Sequence, residues 1–307
     1  MLLLQRFHDL PDNFKGSISV VVAALLLTAA VALIKLAGER LPIIQLLFLR
    51  QLGMAFMLYP VLAKDFPNSI KTSKPGLQLL RVGLALIALL GGFTAVVNMP
   101  LADATALAFA KSFFVTVFAV FLLREYVGPY RWFALVVGFL GVAIMMQPGS
   151  SGYSIYGVYA IAGAAAAGLV MVIIRILSQT ESSESIMSYQ IFGVGGITLI
   201  PAVMAWVAPT PLEWLIIVAI SVLSFYAQKA NIFAYKHGEA SLLASLDYIR
   251  LLFAAAIGYL LFGQLPQLTT WIGAGIIILA AIFTVYREAK RQQTLTRAPG
   301  ARGFNNT

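Results

Sequence analysis

Five ionisable side chains lie well inside long apolar stretches of this 307-residue sequence: Arg50, Lys111, Lys229, Asp247 and Arg250. A charge at bilayer depth costs at least roughly 2.5–3.5 kcal/mol on insertion scales, so each needs a partner or a task. Arginine presents a planar fork suited to a carboxylate or phosphate, and lysine a compact charge on a flexible stem. Asp247 and Arg250 are three residues apart, hence on one face of a helix. Two readings follow. In one, Lys111 and Arg250 face a shared cavity and bind an anionic or zwitterionic solute. In the other, Asp247 and Arg250 form an internal ion pair and Lys111 is left to carbonyl oxygens. The first is preferred, with Asp247 either a fixed counter-ion or a group that takes up a proton and frees Arg250 for the solute.

Uncharged polar residues extend the same neighbourhood. Ser112 and Tyr248 adjoin the central charges, and Asn98, Thr116, Gln228, Asn231 and Ser245 are further candidates. Each competes with a plainer role, because most buried hydroxyls in membrane helices bond to their own backbone or to a neighbouring helix. Lys229 and Arg50 lie about 9 Å and 12 Å from the ends of their apolar stretches at about 1.5 Å per residue, so snorkelling to the interface competes with a site role. Lys35 and Arg175 sit at stretch ends and read as interfacial anchors.

Composition says what must hold these residues. The chain is 60% hydrophobic and 11% charged, against about 45–50% and about 25% for soluble domains. That excludes an ordinary water-soluble enzyme. Zero cysteines exclude disulfides and thiolate metal sites, and His8 and His237 are too few for most zinc or iron chemistry. No Walker A or HExxH motif occurs, so neither an ATPase nor a membrane metalloprotease is expected, and no cofactor or metal is implied. The excess of 21 Lys and Arg over 12 Asp and Glu does not indicate nucleic acid, because membrane proteins gather cations in cytoplasmic loops.

Hydrocarbon about 30 Å thick needs about 20 apolar helical residues. Ten stretches of that kind are expected, at 17–36, 42–62, 77–97, 101–122, 131–147, 154–177, 186–207, 212–235, 240–262 and 267–286, separated by joints such as Leu41-Pro42, Lys74-Pro75-Gly76, Gly128-Pro129 and Pro209-Thr210-Pro211. An even number puts both termini on one side. Fifteen cations fall there, among them Arg6, Lys64, Lys74, Arg81, Arg124 and Arg287, against Lys35 and Arg40 on the other. Both termini are therefore expected in the cytoplasm. Trp132, Trp206, Trp214 and Trp271 lie near span ends, as interface belts do.

A shift of 139 residues lays Lys111 on Arg250, Glu125 on Gln264 and Trp132 on Trp271, and a shift of 140 or 141 lays Lys35 on Arg175 and Pro60 on Pro201. The expected fold class is thus an all-α integral membrane protein: ten transmembrane helices as two inverted five-helix repeats, with both termini cytoplasmic. The parts are a tail over 1–16, a first repeat over 17–148, a second over 149–287 and a basic tail over 288–307. Lys111 and Arg250 lie ten residues from the starts of the fourth and ninth spans, roughly 15 Å deep, near the midplane where inverted-repeat proteins place their site. The small-residue tract Ala162 to Gly168 is packing chemistry.

Three stretches carry a family resemblance: PLADATALAFAKSFFVTVFAVFLLRE (Pro100 to Glu125), the WxxxxxGxxGV run from Trp132 to Val142, and EASLLASLDYIRLLFAAAIGYLLFGQLP (Glu239 to Pro266). Over residues 15–290 the sequence resembles the ten-helix EamA branch of the drug/metabolite transporter superfamily. In that branch the helix before each short joint usually ends in Gly-Glu; Arg124-Glu125 and Gly263-Gln264 stand there instead. The resemblance implies a central cavity faced by Lys111, Asp247, Tyr248 and Arg250, with the fifth and tenth helices peripheral and available for a homodimer.

The expected function is a secondary-active transporter in the cytoplasmic (inner) membrane, moving a small polar metabolite by alternating access. An organic anion or amino-acid-like solute is favoured, with protons as one candidate coupling ion. The expected site is Lys111, Arg250, Tyr248, Ser112, Arg50, Asn98, Gln228 and Lys229, with Asp247 as coupling group or counter-ion. The partners are the solute and the bilayer. A lipophilic-cation exporter of the same fold is the main alternative, and a channel or lipid scramblase a lesser one.

Overall fold

A computed structural model describes residues 11–64, 66, 70–108, 110–125, 128–146 and 155–263, and beyond these 268, 271–273, 275–276, 279–280 and 283. The described residues are helical, with no strand among them. The helices are α1 (Asp12–Ala37), α2 (Ile43–Lys64), α3 (Pro75–Asn98), α4 (Leu101–Ala108), α5 (Ala110–Phe118), α6 (Pro129–Met146), α7 (Ile155–Leu177), α8 (Ser183–Met204), α9 (Pro211–His237), α10 (Ala240–Leu246) and α11 (Arg250–Phe262). A π turn, Ala119–Leu123, continues α5, and a 3-10 turn, Asp247–Ile249, joins α10 to α11. Six helices, α1, α2, α3, α7, α8 and α9, are long and apolar enough to cross a membrane.

Local chemistry starts and stops these helices near the expected joints. α3, α6 and α9 each begin on a proline, whose missing N–H is not needed in a first turn. Thr210 and Glu213 form a capping box at the start of α9, and Ser182 accepts a bond from the Ser185 N–H at the start of α8. The stretch read as a single span at 240–262 is instead interrupted by the 3-10 turn, and the one read at 101–122 ends in the π turn. The 3-10 break falls at the charges: Asp247 opens the turn and Arg250 is the first residue of α11.

The segments 101–123 and 240–262 correspond to each other. Leu101 and Ala240 begin them, Leu123 and Phe262 end them, and Arg124 (φ 53°) and Gly263 (φ 61°) cap them in the left-handed conformation. Each pair is 139 residues apart in the numbering. Glycine adopts that conformation freely, whereas arginine adopts it at a cost.

Packing joins the two halves of the chain. α1 lies against α9, α3 against α7 and α2 against α8. Small residues let backbones approach: a Cβ on Gly91 would meet the Tyr159 carbonyl oxygen at 2.5 Å, and one on Gly168 would meet the Phe114 Cβ at 2.7 Å and the Lys111 carbonyl oxygen at 3.2 Å. The tract at 162–168 therefore does pack α7 onto α3 and α5. The core contains Leu47, Met54, Val115, Ile173, Ile186 and Val194. The outside is apolar too, with Phe56, Phe121, Leu260 and Met204 at least three-quarters exposed. Water would not tolerate such a surface over the whole body, but lipid does.

Candidate functional site

The site is a small cavity of about 180 Å³ between the halves, reached by α1, α2, α3, α4, α5, α7, α8, α9 and α11. Its walls carry three cations: Arg50 from α2, Lys111 from α5 and Arg250 from α11. Asp247 is buried beside them. Lys111 Nζ bridges an Asp247 carboxylate oxygen, and Arg250 Nη1 stands 4.0 Å from the same oxygen. The 3-10 turn places Asp247 and Arg250 on one side of the chain, and the close approach of α7 at Gly168 fixes the backbone of Lys111.

Arg50 is held separately. Its Nε donates to Ser224 Oγ of α9 at 2.7 Å, and its guanidinium carbon lies 5.8 Å from the centre of the Phe93 ring, within cation–π range. Along α9, Ser224, Gln228 and Asn231 all line the cavity. Their spacing of four and three residues is that of one helical face. Gln228 Nε2 donates to Gln190 Oε1 at 2.9 Å, and Arg81 Nη2 donates to the same oxygen at 2.5 Å. The site thus combines fixed cations, amide and hydroxyl donors, and apolar walls from Leu27, Val31 and Met171. No group of three or more metal-ligating side chains occurs among the described residues.

The EamA-like transporter family profile matches residues 14–147 and again 155–286. The chain belongs to this family. The pseudopaline exporter CntI of Pseudomonas aeruginosa is 30% identical over 281 residues, covering 90% of this chain and 97% of that protein. The S-adenosylmethionine uptake transporter of Rickettsia prowazekii is 27% identical over 260 residues, covering 83% and 87%. The riboflavin transporter of Vibrio cholerae is 27% identical over 228 residues, covering 74% and 76%. A solved crystal structure superposes with a TM-score of 0.74 at 18% identity, covering 90% of this chain and 99% of that one, a likeness of fold. The protein is accordingly a multi-pass membrane protein of a transporter family, and its relatives are transporters rather than enzymes.

In this EamA-like chain the residues singled out from sequence divide into groups. Lys111, Arg250, Arg50 and Gln228 line the cavity, and Asp247 lies against it. Asn98 and Lys229 do not line it. Asn98 is exposed at the end of α3 and donates to the Thr94 carbonyl of its own helix at 2.8 Å. Lys229 is exposed on α9, next in sequence to Gln228 but about 100° around the helix, so a residue beside the cavity points out of it. The side chains of Ser112, Tyr248 and Ser245 lie outside the described residues, as does Gln264.

Sequence reading missed Ser224, Thr105, Phe93 and Gln190. Ser224 was signalled by its spacing from Gln228 and Asn231; Gln190 faces the cavity only because α8 packs against the other half. Arg81, counted among the loop cations, is fully buried and donates from Nη1 to the Ile186 carbonyl at 2.8 Å as well as to Gln190. Lys35 and Arg175 are clamps more than anchors. Lys35 Nζ caps the end of α3 through the Val96 and Met99 carbonyls at 3.0 and 2.7 Å, and Arg175 caps the end of α9 through the Tyr235 and Lys236 carbonyls at 2.9 and 2.8 Å.

Proposed function

We propose that this protein is a secondary-active transporter that carries a small organic anion or amino-acid-like metabolite across the cytoplasmic membrane by alternating access. The observation that carries the reading is the meeting of Arg50, Lys111 and Arg250 in one cavity, from both halves of the chain. Cations placed there at a cost in desolvation are explained by a solute that compensates them. Asp247, bridged to Lys111 and facing Arg250, fits a fixed counter-ion better than a free proton carrier.

The transport cycle in this reading is a rocking of two inverted five-helix repeats, residues 17–148 and 149–287, with both termini in the cytoplasm and a basic tail over 288–307. The 139-residue spacing of the ends and left-handed caps of segments 101–123 and 240–262 and the twofold family match support the repeats. The charge asymmetry of the loops supports the orientation. A homodimer would form through the peripheral helices. Named relatives include both an uptake transporter and an exporter, and their solutes differ, so cargo and direction must come from this chain's own cavity.

The experiment is counterflow in proteoliposomes, using a solute found by thermal-shift screening of the purified protein, since a ligand bound to the folded state raises its midpoint. Saturable counterflow is expected. Flux that rises linearly with concentration indicates a channel or scramblase instead. Accumulation of a lipophilic cation that survives removal of the Lys111 charge indicates the exporter alternative.

A further inference from the structure

Among the described residues the cavity holds more positive charge than its own groups neutralise. Lys111 and Arg250 share one carboxylate, Asp247. Arg50 is only 3% exposed, yet its polar contact is the neutral Ser224 hydroxyl, and no carboxylate pairs with it among the described residues. Two guanidinium nitrogens on the cavity-lining arginines, Arg50 Nη1 and Arg250 Nε, are buried without a hydrogen-bond partner. Buried donors and buried charges of this kind are costly unless something answers them. Arg81 does not enter the tally, because it lies behind Gln190, outside the lining: its Nη1 and Nη2 donate to Ile186 and Gln190, and its Nε, buried without a partner, does not face the cavity.

Among the described residues three cations against one carboxylate leave two positive charges, and they sit in two places: one at Arg50, on α2 and backed by Phe93, the other at the Lys111, Asp247 and Arg250 cluster between α5 and α11. We propose that the cargo is a small dianion whose two anionic groups are on separate atoms, a short dicarboxylate in chemical class, held at one end by Arg50 and at the other by Arg250 beside Lys111. This rests on the transport reading above and narrows it. A dianion leaves the loaded cavity electrically neutral, so the occluded carrier buries no uncompensated charge. A monoanion leaves one charge over and a zwitterion leaves two. The connecting carbons meet Leu27, Val31, Phe93 and Met171, which are apolar. The size fits as well: the cavity is about 180 Å³, and an engineered cavity of about 150 Å³ holds a benzene molecule.

The test is a thermal-shift titration of the full chain in detergent with succinate, glutarate, butyrate, alanine and glycerol phosphate, followed by counterflow in proteoliposomes. Succinate or glutarate is expected to raise the midpoint at concentrations where butyrate does less and alanine least. In Arg50→Gln the dicarboxylate affinity falls by about tenfold or more, the loss of one charge-assisted contact, and reaches that of butyrate, whose own affinity changes little. If Arg50→Gln does not run as a monodisperse peak, Arg50→Lys is read in its place: it keeps the charge and must keep the preference for dicarboxylates. Equal or stronger stabilisation by butyrate or alanine overturns the inference. Stabilisation by glycerol phosphate alone overturns the placement of the charges on separate atoms. Saturable counterflow of a monoanion or amino acid with no dianion preference overturns this inference and leaves the transport reading standing. Dicarboxylate binding without saturable flux does the reverse.

Discussion

Glu181 and Arg40 tie loops together at opposite ends of the bundle, with different chemistry at equivalent places in the two halves. Arg40 pairs with Glu213 and donates to the Ala208 carbonyl at 2.9 Å, closing the α1–α2 turn over the start of α9. Glu181 accepts from the Ser73 N–H at 2.8 Å and the Ser73 hydroxyl at 2.7 Å, closing the α7–α8 turn over the start of α3. Positions 40 and 181, and 73 and 213, stand 141 and 140 apart. Burial alone would raise the Glu181 carboxyl, but the two Ser73 hydrogen bonds, with help from Thr72 and Lys74, outweigh it and hold the group below its ordinary value. A carboxylate depressed in the folded state contributes stability that is present above its unfolded pKa, about 4.3, and is lost as pH falls through the folded value. The thermal midpoint of the wild type should therefore fall on acidification below about pH 4.3, and Glu181→Gln should be less stable at neutral pH and flatter across that window. An unchanged acid limb in Glu181→Gln would remove this role. None of this was legible in the sequence, because Ser73 and Glu181 meet only after α3 and α7 pack. The central charges were legible, since an apolar span makes any ionisable residue conspicuous. Arg81 was not, because it sits close enough to a span end to pass for a loop residue.

At the scale of elements, the π turn at Ala119–Leu123 and the 3-10 turn at Asp247–Ile249 matter most, and periodicity alone read both stretches as continuous α-helix. Apolar pattern and proline joints set the boundaries of α1, α2, α3, α6, α7, α8 and α9 to within a few residues, and the span expected at 267–286 lies largely outside the described residues, but nothing in a run of apolar residues marks where a π or a 3-10 turn intervenes. The left-handed caps leave a clearer trace. Gly263 takes its conformation without strain, while Arg124 pays for the same geometry, so the departure from Gly-Glu noted in the sequence is an energetic one. Arg124→Gly should stabilise the protein by about 1 kcal/mol, the relief of a left-handed side-chain residue less the added freedom of glycine when unfolded. Gly263→Ala should shift the midpoint the other way. Equal midpoints for both variants and the wild type would contradict the cap assignment. The contact of α7 with α5 is tested at Gly168. A valine there must displace Phe114 and the Lys111 backbone, costing about 1–3 kcal/mol by overpacking, and counterflow should fall further than stability does because Lys111 moves. Counterflow that tracks the folded fraction alone would separate the packing from the site.

At the scale of the whole molecule, orientation and repeat were read from charge counts and numbering offsets, and the fold supplies what those could not: which faces meet. α1 with α9, α2 with α8 and α3 with α7 close the cavity from both halves, so the site belongs to neither half alone. The absence of cysteine from the sequence makes the orientation directly measurable. In right-side-out membrane vesicles, Glu39→Cys on the α1–α2 turn should react with a membrane-impermeant maleimide, and Thr180→Cys on the α7–α8 turn only after permeabilisation. The reverse pattern would invert the assignment. The central claim is that the clustered cations bind what the protein carries. Its most direct test is saturable counterflow in proteoliposomes by wild type, Lys111→Ala and Arg250→Ala, each first shown to run as a monodisperse peak in detergent. The account predicts that counterflow is abolished in both variants; full activity in both would contradict it.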